Sequence, residues 1–102
     1  MSERIPEFED RVENQTELKE PLLFRVLLHN DNYTTMDFVV QVLETVFNKR
    51  PSEANQIMLS VHKKGIGICG IYTVEVAETK VAMVHSLAQE CNFPLKCTME
   101  AM

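Results

Sequence analysis

Across Leu28-His29-Asn30-Asp31-Asn32-Tyr33-Thr34-Thr35-Met36 the spacing of apolar residues changes from two to three and four. Upstream, in the run Leu22 to Leu28, Phe24, Val26 and Leu28 alternate, as in a strand with one face turned to a core. Downstream, from Met36 to Asn48, Phe38, Val39, Val42, Leu43, Val46 and Phe47 form a broad stripe at helical spacing. A chain with this switch runs from a strand into a helix through a polar turn. Thr34 is expected to cap that helix, its hydroxyl accepting the Asp37 N–H, with the Asp37 carboxylate near the positive pole.

The rest of the chain supplies the partners. Asn48-Lys49-Arg50 closes the first helix, which Pro51 cannot continue. Pro51 or Ser52 opens a second helix. It carries Ala54, Ile57, Met58, Val61 and His62 on one face, and Lys63-Lys64-Gly65 ends it. Gly65 to Tyr72 reads as a strand interrupted by glycines. The same residues match G-x-G-x-x-G, but a dinucleotide fingerprint needs those glycines between a strand and a helix. Here a helix has just ended, so the glycines mark a bulge or a close approach of backbone. Thr73 is placed to cap a third helix with Ala77, Val81, Val84, Ala88 and Cys91 at helical spacing, ending at Asn92. Pro94 to Glu100 is a last short strand with Leu95, Cys97 and Met99 on one side. The order β-α-α-β-α-β indicates an α+β fold: a small three-stranded, mostly antiparallel sheet with three helices on one face.

A length of 102 residues suits one domain. Its ordered part is expected over 21–102. Residues 1–20 hold seven acids and three bases and so carry −4 of the formal net charge of −5. With few apolar residues, that segment is expected to be a flexible extension. The body is nearly neutral and lacks the basic face that nucleic acid requires. No apolar run approaches a membrane span, and the acidic start has no signal-peptide core. The cysteines Cys69, Cys91 and Cys97 form no C-x-x-C pair and leave an odd one over, which favours reduced thiols in a cytoplasmic compartment.

Three chemistries compete for the polar residues. A thiol enzyme would use Cys69, His62 and Asp31, but Cys69 lies among Ile66, Ile68 and Ile71 and reads as a small buried hydrophobe. A metal site would draw on His29, Asp31, His62 and His85, which fit no short ligand motif, and His85 belongs on the third helix, away from the others. A binder of cationic groups would bring Asn30, Asp31 and His62 beside Met36, Val39, Met58 and Val61. That makes an apolar pocket with a polar, partly anionic rim, suited to a ligand with a positive head and an apolar body.

Leu28 to Met36, Met58-Leu59-Ser60-Val61-His62, the run from Cys69 to Val81, and Pro94-Leu95-Lys96-Cys97-Thr98 together resemble the ClpS family of Clp protease adaptors. The resemblance covers about residues 22–100 in unbroken order. It implies a non-enzymatic, cofactor-free and metal-free monomer of the bacterial cytosol. Such an adaptor recognises N-degrons, proteins whose first residue is Leu, Phe, Tyr or Trp. It hands them to a ClpA-type unfoldase, which feeds the ClpP peptidase. By the same resemblance Asn30, Asp31, Asn32 and His62 hold the α-amino group. Thr34, Met36, Val39, Met58, Val61 and Leu95 line the side-chain pocket, and Glu75, Glu78 and Lys80 face the unfoldase. A second reading within the family is an unfoldase regulator with a weakened pocket. The family's turn reads Asn-Asp-Asp where this chain has Asn32, and that difference is expected to make binding weaker or more selective. Neutral His62 would accept through one ring nitrogen, so binding is expected to weaken as acid protonates it.

Overall fold

The computed structural model describes residues 21–102, so the expectation for residues 1–20 lies outside the described residues. Strand β1, Leu23–His29, is followed by helices α1, Met36–Thr45, and α2, Pro51–Lys64; then come β2, Ile66–Thr73, helix α3, Val74–Glu90, and β3, Lys96–Ala101. The strands pair antiparallel in the order β2-β1-β3, with β1 in the centre. This is the α+β arrangement expected from the apolar spacing.

The core lies between the sheet and the helices. Val26 and Leu28 on β1, Cys97 on β3, Phe38, Val42, Leu43 and Val46 around α1, Val61 on α2 and Val84 on α3 form one buried cluster. Burying each such side chain contributes roughly 1.5–3 kcal/mol of transfer free energy. The outer face carries an ion pair between the cross-strand neighbours Arg25 and Glu100 at 3.3 Å. Strand alternation assigns Leu27 to that outer face, yet it is buried. It occupies the central strand between Ile68 and Thr98, so neighbours shield it from both sides.

Residues at the ends of the helices fix how they are laid on the sheet. Pro51 is the first residue of α2, and Gly65 closes the helix at φ 87°, where its N–H donates to the Val61 carbonyl at 2.9 Å. Helix α1 is shorter than its apolar stripe. It stops at Thr45, and Asn48 at φ 56° turns the chain, but Val46 and Phe47 remain buried. No basic residue occupies the last turn of α1. The cation comes from α3 instead, where Lys80 donates from Nζ to the Val46 carbonyl at 2.6 Å.

The glycines are expected to mark a bulge or a close approach of backbone, and the strand holds one of each. The register of β1 with β2 shifts between Val26 and Leu27, so Cys69 is the extra residue of a bulge. A Cβ at Gly67 would lie 2.6 Å from Val61 Cγ2 and 3.2 Å from the Ile57 carbonyl oxygen, so the glycine lets α2 sit directly on the strand. At Gly70 the space a side chain would need is filled by the Tyr72 ring.

Candidate functional site

The turn from Asn30 to Thr35 is organised by one carboxylate. Asp31 Oδ1 accepts the Tyr33 N–H at 2.8 Å and the Thr34 N–H at 2.7 Å, while Oδ2 accepts the Thr34 hydroxyl at 2.7 Å. Partial burial alone would raise the Asp31 carboxyl, but the three hydrogen bonds outweigh it and hold its pKa below the ordinary carboxylate value. These bonds also decide which threonine caps the helix. Thr34 is expected to cap α1, but its hydroxyl is drawn back onto Asp31. Thr35 takes the position instead, accepting the Phe38 N–H on its side-chain oxygen at 3.1 Å.

The turn is pinned at its start by the sheet. The Asn30 N–H donates to the Gly65 carbonyl at 3.0 Å, which ties the end of β1 to the residue that closes α2. The last helical residues of α2 therefore stand beside the turn. Between them lies a cavity of about 400 Å³, lined by Asn30 to Met36 from the turn and start of α1, Val39 from α1, and Met58, Val61 and His62 from α2. Val39 and Val61 are almost fully buried and make its floor, and Met58 is half-buried. Met36, 47% exposed, and Tyr33, 77% exposed, stand at the mouth. Asn30, Asn32 and His62 are exposed at the rim, and Asp31 and Thr34 are half-buried within the turn. An apolar floor beneath polar acceptors suits a ligand with a cationic end and an apolar end.

Of the residues assigned by sequence to the site, Asn30, Asp31, Asn32, His62, Thr34, Met36, Val39, Met58 and Val61 all line this one cavity. Leu95 does not. It is buried in the core among the residues packed behind the strands. Tyr33 and Thr35 line the cavity although neither was singled out. Their place in the same turn was the available signal. Glu75 and Glu78 are exposed on the first turns of α3, whereas Lys80 is occupied by the Val46 carbonyl and lies over the Tyr72 ring.

The alternative constellations do not assemble. Cys69 is fully buried, and burial pushes its thiol far above the ordinary range. Cys97 is likewise buried, its thiol pushed up to about 12. Among the described residues no three or more His, Cys, Asp and Glu side chains are grouped to hold a metal ion. His29 Nε2 is hydrogen-bonded to Thr98 Oγ1 at 2.7 Å, and His85 Nε2 accepts the Cys97 N–H at 3.1 Å. No helix among the described residues is long and apolar enough to cross a membrane.

Comparison with known proteins finds relatives over most of the chain. The family model described as ATP-dependent Clp protease adaptor protein ClpS matches residues 19–98. An ATP-dependent Clp protease adapter protein ClpS of Oleidesulfovibrio alaskensis is 66% identical over 86 residues, covering 84% of this chain and 83% of that protein. The counterpart in Desulforapulum autotrophicum is 58% identical over 102 residues, 98% of each chain. Among solved structures, Agrobacterium tumefaciens ClpS2 bound to L-phenylalaninamide superposes with a TM-score of 0.79 at 34% identity, covering 81% of this chain and all of that one.

Proposed function

The chain belongs to the ClpS family of ATP-dependent Clp protease adaptors, and from that premise we propose that its cavity binds the free α-amino group and bulky apolar first residue of substrate proteins. The observation that carries the reading is the joining, in one cavity, of Asn30 and His62 at the rim with Val39, Met58 and Val61 below. The relative bound to L-phenylalaninamide adds support, because that ligand has a free amino group next to an aromatic side chain.

The chemistry follows from the two ends of such a ligand. An α-amino group has a pKa of about 7.7–8.0 and is mostly cationic near neutrality. It carries three N–H donors and needs acceptors. The Asn30 amide oxygen and a neutral ring nitrogen of His62 are acceptors of the right kind. The side chain next to it enters the apolar floor, where burying a Leu or Phe contributes about 1.5–3 kcal/mol. The flexible thioethers of Met36 and Met58 adjust to Leu, Phe, Tyr or Trp. Neither end alone overcomes the entropy lost on association, so recognition requires both. Glu75 and Glu78, exposed on α3, are assigned to the surface offered to the unfoldase, and Lys80, held on the same helix by its bond to the Val46 carbonyl, is assigned to that surface with them.

A set of peptides varied only at position one tests the reading by calorimetry or fluorescence anisotropy. Peptides beginning with Leu, Phe, Tyr or Trp should bind, and those beginning with Asp, Lys or Ala should not. A flat response across the set would refute the pocket assignment. If the unfoldase N-domain bound while no peptide did, the chain would be a regulator only.

Asn32 gives a second test. A carboxylate at that rim position would offer the ammonium a charge-assisted bond in place of a neutral one, a difference of about 1 kcal/mol. Asn32→Asp should therefore tighten binding of a Leu peptide by roughly three- to tenfold. Unchanged or weaker binding would show that the position does not face the amino group.

A further inference from the structure

The carboxylate of Asp31 is the one formal negative charge among the residues lining the cavity, which makes it the obvious counter-ion for a bound ammonium. Its hydrogen bonds point elsewhere. A carboxylate has about four lone-pair sites, and three donors already fill three of them: the Tyr33 N–H, the Thr34 N–H and the Thr34 hydroxyl. All three come from the turn, none from across the cavity. By contrast, Asn30, Asn32 and His62 are exposed at the rim and have no side-chain hydrogen-bond partner among the described residues. Their acceptors are available and those of Asp31 are largely spent.

We infer that Asp31 is the positioning residue of this site, acting through Tyr33 and Thr34 to hold the cavity lip in shape, while the ammonium is received by the neutral acceptors of Asn30 and His62. Two structural features follow from this role. By drawing Thr34 into the turn, Asp31 leaves Thr35 to start α1, and this sets where Met36 and Val39 enter the cavity. It also orders the backbone at Tyr33, whose ring stands 77% exposed at the mouth. Without the three bonds the lip would be unordered in the free protein, and ligand binding would have to supply that order. The inference rests on the pocket reading above and gives Asp31 a role within it.

Charge and shape are separated by two substitutions at one position. Asp31→Asn keeps an oxygen that accepts both backbone N–H groups and lets its amide donate to the Thr34 oxygen, but removes the charge. Asp31→Ala removes the scaffold. With a free-amino Leu peptide, Asp31→Asn should stay within about threefold of the parent affinity, and Asp31→Ala should lose at least about tenfold. Amide hydrogen exchange at Tyr33 and Thr34 should speed up in Asp31→Ala and stay near parent rates in Asp31→Asn. Thr34→Val gives an independent sign. Removing its hydroxyl frees a carboxylate lone pair, so a counter-ion would bind more tightly and a scaffold less tightly. The inference is overturned if Asp31→Asn loses as much affinity as Asp31→Ala, or if Thr34→Val strengthens binding. Failure of the parent protein to bind any free-amino peptide would instead overturn the pocket reading itself.

The depressed Asp31 carboxyl supplies a further readout. A carboxyl lowered in the folded state stabilises the fold above its unfolded pKa of about 3.9, and that contribution is lost as pH falls through the lower folded value. The acid side of the melting profile should therefore be flatter in Asp31→Asn than in the parent, because the Asn side chain does not titrate. Superimposable acid profiles would remove the link between this carboxylate and the turn.

Discussion

Acetylating the α-amino group of a Leu-initiated peptide should weaken its binding by roughly 10²–10⁴-fold. The estimate comes from the rim of the cavity, where Asn30 and His62 are both exposed acceptors. A hydrogen bond to a charged group contributes about 1.5–3 kcal/mol, so two of them contribute about 3–6 kcal/mol. The acetyl group removes the charge and both extra donors, and places a carbonyl where an ammonium was received. Parallel titrations of the free and acetylated forms of one peptide give the answer directly. Affinities within tenfold of each other would mean that the cavity reads an apolar side chain alone. His62→Ala on the free peptide should reproduce about half of the loss in free energy, because it removes one of the two acceptors.

Leu28→Ala should destabilise the folded chain by about 2–5 kcal/mol. Leu28 is fully buried in the central strand, opposite Gly67 on one side and Cys97 on the other. Gly67 has no side chain to lean into the space and cannot acquire one without striking Val61. The cavity left by the substitution therefore has little means of closing. A domain of this size has a total stability on the order of 5–15 kcal/mol, so the loss is a large fraction of it. The melting temperature should drop by roughly 10 °C or more. Leu59→Ala is the matched control. Leu59 is 41% exposed on α2, and its truncation should change stability by no more than about 0.5 kcal/mol. A Leu28→Ala protein that melts with the control would contradict the central place given to β1.

The order of elements was legible because each carries its own period. The alternation of Phe24, Val26 and Leu28 and the stripe from Phe38 to Phe47 describe how often a side chain meets the core, and that depends little on tertiary detail. The glycine strand was legible too, because a helix end directly before it excluded the phosphate-loop reading. Three features were not legible, and each depends on a contact that linear spacing does not contain. Thr34 and Thr35 are equally good caps in isolation, and the choice is made by the carboxylate of Asp31, three residues before Thr34. Leu95 does share a side with Cys97 and Met99, but that side faces the core, not the cavity. Leu27 is buried on the outer face because β1 is the middle strand, and strand order is not a property of the strand's own sequence. Within the cavity, the polar turn and the α2 face are legible in the sequence, and Tyr33 and Thr35 belong to that turn, but which of its residues line the cavity is set by the path of the backbone.

The central position of β1 also has a consequence in time. The residues that line the cavity lie between Asn30 and His62 and leave the ribosome before β2 and β3. The strand from which the turn hangs does not yet have neighbours at that point. Leu23 pairs with Thr73, and Phe24 pairs with Ala101. Both pairings close long loops, whose entropy must be met before the contacts form, so folding should be slow for so small a domain. A nascent chain holding every cavity residue would still lack both flanking strands. Binding competence should therefore appear only once β3 has been made, and a chain stalled just after α3 should carry the whole cavity sequence and bind nothing.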